Sequence, residues 1–187
     1  MQLRRLTLLL AATAAAVFAT TAGAGQVVRE TIHFEDTFVE TNFCDVPGLT
    51  VRTSIVLDIR VHAVPHGPDG LVYFLQHGTE RDVFTNVANS KSVTSVVNVI
   101  EKDKRVIDNG DGTLTVLIMA TGNAVLYGTN GKAIARNPGQ IRFGLLIDHG
   151  GTPNDPSDDE VIEDLGITKG STGRSDDFCA AAVAALR

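Results

Sequence analysis

The chain has no tryptophan and only ten aromatic residues, eight Phe and two Tyr, among 187. It therefore offers little flat surface on which a sugar or a planar heterocycle could stack. Positive charge is also short. Against 22 Asp+Glu stand 16 Lys+Arg, for a net charge of −6, and no basic stripe gathers them, which argues against nucleic acid and against anionic membrane surfaces as partners. Enzyme signatures are missing as well: there is no G-x-S-x-G elbow, H-E-x-x-H zinc helix, G-x-x-x-x-G-K-[ST] loop or G-x-G-x-x-G fingerprint. The commonest motif-bearing hydrolases and nucleotide enzymes are thereby set aside, although acid/base chemistry needs no more than well-placed side chains. Repeats, low-complexity tracts and interdomain linkers are absent too.

What is present begins with a leader. "MQLRR" supplies a positive start, "LTLLLAATAAAVFA" an apolar run and Ala22-Gly23-Ala24 a small-residue cleavage site, so residues 1–24 read as a secretory signal peptide. The mature chain then starts at Gly25 and its length suits one domain, residues 25–187. No cysteine at the cleavage site offers a lipid anchor, and no membrane span is expected in the mature chain. The protein is expected to be secreted. In that compartment its two cysteines read as a disulfide, Cys44 with Cys179, closing nearly the whole mature chain into one loop.

Past the leader, apolar residues recur every second position, which argues strand over helix. In "TVRTSIVLDIRVHAV" (50–64), Val51, Ile55, Leu57, Ile59 and Val61 form one face, and Arg52, Ser54, Asp58, Arg60 and His62 the other. "HGPDG" (66–70) breaks the chain before "LVYFLQH" (71–77). Strands are expected next at "RDVFTNVAN" (81–89) and at "KSVTSVVNVIEKDKRVID" (91–108), the latter either one bent strand or two. Asn109-Gly110 with Asp111-Gly112, and later Asn130-Gly131, are hairpin-turn pairs between apolar runs. "GQIRFGLLIDHG" (139–150) is the last long strand, and only "DDFCAAAVAALR" (176–187) has helical character. Short hairpins without helical crossovers describe an all-β antiparallel up-and-down β-barrel with a short C-terminal helix; a β-sandwich is the alternative way to bury one face. Closure into a barrel removes edge strands, which favours it.

The residues "NPGQIRFGLLIDHGGTPNDPSDDE" (137–160), "GSTGRSDDFCAA" (170–181) and "VIDNGDGTLTV" resemble a group of small exported actinobacterial proteins. That resemblance covers most of the mature chain, including both cysteines, and implies secretion and a β-rich single domain; it brings no activity and no catalytic residue. The strand pattern alone gives a looser architectural likeness to lipocalins and to the allene oxide cyclase and dirigent barrels.

Two readings of function from different classes follow. In the first, inward Ile55, Leu57, Ile59, Phe74, Val116, Ile118 and Phe143 line a cavity that binds a small apolar ligand without covalent chemistry. In the second, the same cavity houses an isomerase- or cyclase-like site built on a buried polar pair, Asp58 or Glu80 with a histidine. A plainer alternative is a structural or surface-interaction domain with no pocket, its interior merely filled. "DHGGTPNDPSDDEVIEDLG" (148–166) carries seven carboxylates and no Lys or Arg; Asp155, Asp158, Asp159 and Glu160 offer hard oxygen ligands of the kind calcium takes, the alternatives being a solvated loop or Asp158 and Asp159 capping "EVIEDLG" as a short helix. His62, His66 and His77 flank one hairpin and would suit zinc or copper if they met; otherwise they are exposed hairpin residues. His33 and His149 have no evident partner.

Overall fold

The computed structural model describes residues 27–187, and the expected leader lies outside the described residues. Seven strands form one antiparallel sheet in sequence order: β1 (Val28–Glu40), β2 (Val51–His66), β3 (Leu71–Asn86), β4 (Ser92–Asp108), β5 (Thr113–Tyr127), β6 (Ala133–Asp148) and β7 (Glu160–Lys169), followed by one helix, α1 (Phe178–Leu186). Gly110, Gly112 and Gly131 take the positive φ that their turns demand. Among the described residues no helix is long and apolar enough to cross a membrane.

Several expectations are corrected. Residues 71–77 and 81–86 belong to one continuous strand, β3, because Gly78 and Thr79 keep the register with β2 unbroken, and residues 87–89 form the turn that follows. Of the two readings of residues 91–108, one bent strand is what forms: β4 runs Ser92–Asp108 with a bulge between Asp103 and Arg105. "EVIEDLG" is not a capped helix: it opens β7, while the cap belongs to Asp155, whose side chain accepts from Ser157 N–H ahead of the short Pro156–Asp158 turn. The sheet also stays open, since β1 and β7 are not paired with each other. Both edges are acidic, with Glu35, Asp36 and Glu40 on β1 and Glu160, Glu163 and Asp164 on β7, and like charges set opposite one another disfavour a ladder. Three register shifts between β6 and β7 further roughen that edge.

One end of the sheet curls around α1. Leu186 and Ala182, both fully buried, meet Phe43, Val51, Phe84, Val93, Leu126 and Ala135 in one cluster, which draws on five consecutive strands and the β1–β2 connection. Phe43, Phe84 and Phe178 contact one another with ring centroids 5.4–6.4 Å apart, within the range favoured by aromatic pairs. The helix starts where the Asp177 side chain accepts from Ala180 N–H at 2.9 Å and ends where Asn86 and Asn89 donate to the Leu186 carbonyl at 3.0 and 2.9 Å, so its terminal backbone groups find partners. Leading into it, the chain crosses β6 so closely at Gly173 that a Cβ there would overlap the Pro138 carbonyl; only glycine fits.

The expected disulfide is present. Cys44–Cys179 joins the β1–β2 connection to the second residue of α1 across 135 residues of sequence. A loop of that length stabilises by about 5 kcal/mol in the chain-entropy model. Replacing both cysteines by Ser is expected to cost about 3–5 kcal/mol in urea unfolding, and Leu186→Ala about 2–4 kcal/mol through the cavity it leaves at 0 % exposure. Unchanged midpoints would show that α1 does not organise that end of the sheet.

Candidate functional site

Register assigns the paired strand residues to a face, because cross-strand partners share one side and neighbours alternate; the exception is the start of β3, where Leu71 and Tyr73, in the outward phase, pack on Val106, Leu114 and Val116. Ile59, Val61 and Ala63, all nearly inaccessible, mark the inward face of β2. Their partners carry that face across the sheet: Ile32 and Phe34 on β1, Gln76 and Glu80 on β3, then Val97, Val99 and Glu101 on β4. The Lys, Arg and His residues with ladder partners fall in the opposite phase, among them Arg29, His33, Arg52, Arg60, Arg81, Lys102 and Arg142, while Lys104 lies exposed in the β4 bulge without a partner. The inward face thus carries acids without a cation.

The expected lining residues lie on this face. Ile59, Leu57 and Phe74 pack with Ile32, Val61 and Val99; Val116 and Ile118 pack with Val106 and Leu114; Phe143 packs with Ala120, Leu145 and Ile118. Val99 and Ile118 each belong to two of these groups and join them. Ile55 stands apart, half-buried, in the wall of an open trough of about 440 Å³ with Glu35, Asp36, Thr37, Ser54 and Val56. The interior near Ile59 is filled; the face loosens toward its edges, where Phe34 and Phe38 on β1 are 48 % and 42 % exposed and Ile167 on β7 is 58 % exposed.

Four buried or half-buried carboxylates interrupt the apolar face. Glu101 accepts from Gln76 Nε2 at 2.7 Å, and Asp103 accepts from Phe74 N–H at 2.8 Å. These two serve the backbone's needs where β3 parts from β4: ladder pairing ends at Leu75, the Phe74 N–H turns to Asp103, and the Val106 N–H finds the Tyr73 hydroxyl at 3.1 Å. Glu80 and Asp82 are different. They sit two residues apart on β3 and share a hydrogen bond, and Asp82 Oδ1, in a residue only 2 % exposed, has no partner. Thr53 Oγ1, on the neighbouring strand at 3 % exposure, has none either. Buried polar atoms in proteins are almost always paired, so these two leave acceptor capacity open on the inward face.

The paired acid was not foreseen. Glu80 was expected to partner a histidine, but its partner is Asp82; Asp58 does meet a histidine, His33, at 2.7 Å, on the exposed outward face with Glu35 on the other ring nitrogen at 3.1 Å. Those carboxylates raise the His33 pKa, through the Asp58 hydrogen bond first. A sequence signal for the inward acids existed: in "ERDVF" Glu80 and Asp82 are in phase with Phe84, and Arg81 is in the other.

The acidic loop is held by its own contacts. Thr152 Oγ1 donates to the Asp158 carboxylate at 2.8 Å, Asp155 caps the turn, and Glu160 starts β7. Asp159 is pushed up to about 7 by burial and then by the charge of Asp158. His149, buried, accepts the Gly151 N–H on Nδ1 at 3.2 Å. Among the described residues no three His, Cys, Asp or Glu side chains converge as metal ligands; His66 instead meets the Tyr73 ring edge-on at 5.1 Å. Compared with known proteins, the chain matches no family model, no curated protein and no solved structure.

Burial raises the pKa of Glu80, Asp82, Glu101 and Asp103, the last to about 7. Their folded-state values lie above their unfolded ones, so the stability they allow is fully present below about pH 4 and is lost as pH rises through the folded values, about 7 for Asp82 and Asp103. Asp111 and Asp176, held low by Thr113 and Arg174 respectively, act in the opposite sense below pH 4. The melting temperature is expected to peak near pH 4–5 and to fall toward pH 8. Asp103→Asn keeps an acceptor for Phe74 and should raise stability at pH 8 by about 2–4 kcal/mol while flattening the slope; a melting temperature rising from pH 5 to 8 would contradict this.

Proposed function

We propose that this is a secreted, non-catalytic binding protein that takes a small apolar ligand against the inward face of a barrel-like curled sheet. The observation that supports the reading is the exposed continuation of that face. Phe34 and Phe38 extend the apolar surface of Leu57 outward on β1, while Val161 and Ile167 do the same beside Ile147 and Phe143. Exposed large apolar side chains contiguous with a core mark contact surfaces rather than scattered surface hydrophobes. The unclosed edges leave a route to the face without requiring any strand to separate.

The acid/base alternative has less support, because it asks for a histidine beside a buried carboxylate and the strand histidines lie on the outward face. A filled, pocketless interaction domain is disfavoured by the unpartnered Thr53 and Asp82 atoms, which a purely structural face has no use for.

The test is a titration with a neutral apolar fluorophore such as Nile red. Binding at one site per chain is expected, with Phe34→Asp/Phe38→Asp weakening it at least tenfold and leaving the fold unchanged, both residues being well exposed. Absence of binding to the unmodified protein would overturn the reading.

A further inference from the structure

Three adjacent rungs of β1, β2 and β3 form one patch. Phe34, Leu57 and Glu80 lie across from one another; next come Asp36, Ile55 and Asp82; then Phe38, Thr53 and Phe84. The open trough beside these rungs is lined mainly by Glu35, Thr37, Ser54 and Val56 of the opposite phase, so it lies on the other side of the sheet and is no part of this patch. We propose that this patch binds the ammonium head of an amphipathic amine, with Asp36 between two phenylalanines at the entrance and Asp82 with Thr53 at the floor. The inference rests on the binding reading above and names the ligand's chemistry.

Four observations carry it. First, Asp82 Oδ1 and Thr53 Oγ1 are buried acceptors with nothing donating to them, and an ammonium has three donors and no acceptor. Second, no cation serves the acids from the protein's own side: the residues facing Asp82 across the sheet are Ile55 and Ser95, and those facing Glu80 are Leu57 and Val97. Among the described residues the ion pairs are His33 with Glu35 and Asp58, and Arg174 with Asp176, all elsewhere. Third, phenylalanines two positions either side of a carboxylate, on the same exposed edge, offer ring faces and a negative charge together, the combination that organic ammonium ions favour. Fourth, Leu57 and Ile55 continue the patch with apolar surface for an alkyl tail. An anionic amphiphile such as a fatty acid meets only like charge here and pays to desolvate it.

The experiment compares decylammonium, decanol and decanoate, below their aggregation concentrations, by calorimetric titration at pH 8. Decylammonium is expected to bind at least tenfold more tightly than decanol, with no binding of decanoate. Asp82→Asn, which relieves a crowded acid pair and should fold, is expected to cost decylammonium at least tenfold and leave decanol unchanged. Asp36→Asn, at an exposed position, should weaken the amine in the same direction. Decanol or decanoate binding as tightly as the amine would overturn the inference while leaving the apolar-ligand reading intact, as would amine affinity indifferent to both substitutions. Failure of all three compounds to bind would overturn both.

Discussion

Two-residue alternation in an unbroken register is the constraint on which the rest of the structure depends. From Glu40↔Val51 to Val28↔Ala63, and from Val51↔Asn86 to His66↔Leu71, the β1–β2 and β2–β3 ladders run without a bulge. A slip of one residue would turn Arg81 and Val83 inward and send Glu80 and Asp82 to water, because the side-chain period is two. The placement of charge follows from that register: the paired cations go outward with Glu35 and Asp58, while Glu80, Asp82 and Glu101 go inward among the apolar residues. A sheet that buried only hydrocarbon would be more stable; this one retains unneutralised acids on its inner face and bears a desolvation cost in doing so.

The two ends of the sheet solve different problems. At one, α1 and its disulfide gather β2 to β6 around Leu186 and the phenylalanine cluster, so that nine residues of helix set the curl of strands far apart in sequence. At the other, β3 leaves β4, and side chains take over the ladder's hydrogen bonds through Asp103 and Tyr73. There the β2–β3 turn lies beside the acidic loop, since a Cβ added at Gly70 would meet Asn154 at 3.9 Å, and Leu71 and Tyr73 pack on Val106, Leu114, Val116 and Ile147. Both devices tie together strands that are distant in sequence, while the acidic edges stay unpaired.

Much of this was legible in the sequence. Alternation over 50–64, the Asn-Gly and Asp-Gly turns, the helix near the C-terminus and the pairing of Cys44 with Cys179 each rest on local chemistry and occur as expected. What escaped was decided by tertiary context. "EVIEDLG" reads as polar and cappable, yet it adds to the edge of β6, where a solvent-facing strand tolerates acids and a positive-φ Gly166. Glu80 and Asp82 lie beside Arg81 and Val83, so the shared phase with Phe84 is a weak local signal, and the long register with β2 decides which side is buried. Closure failed as an expectation because it depends on the edges' mutual charge, which no single strand reveals.

The most direct measurement is a carboxyl-carbon NMR titration of Glu80 and Asp82. The account predicts two coupled steps, with the second midpoint well above the ordinary carboxylate range, as two desolvated acids sharing a proton require. Both carboxyls titrating together near pH 4 would place them in water, and would contradict the register and everything drawn from it.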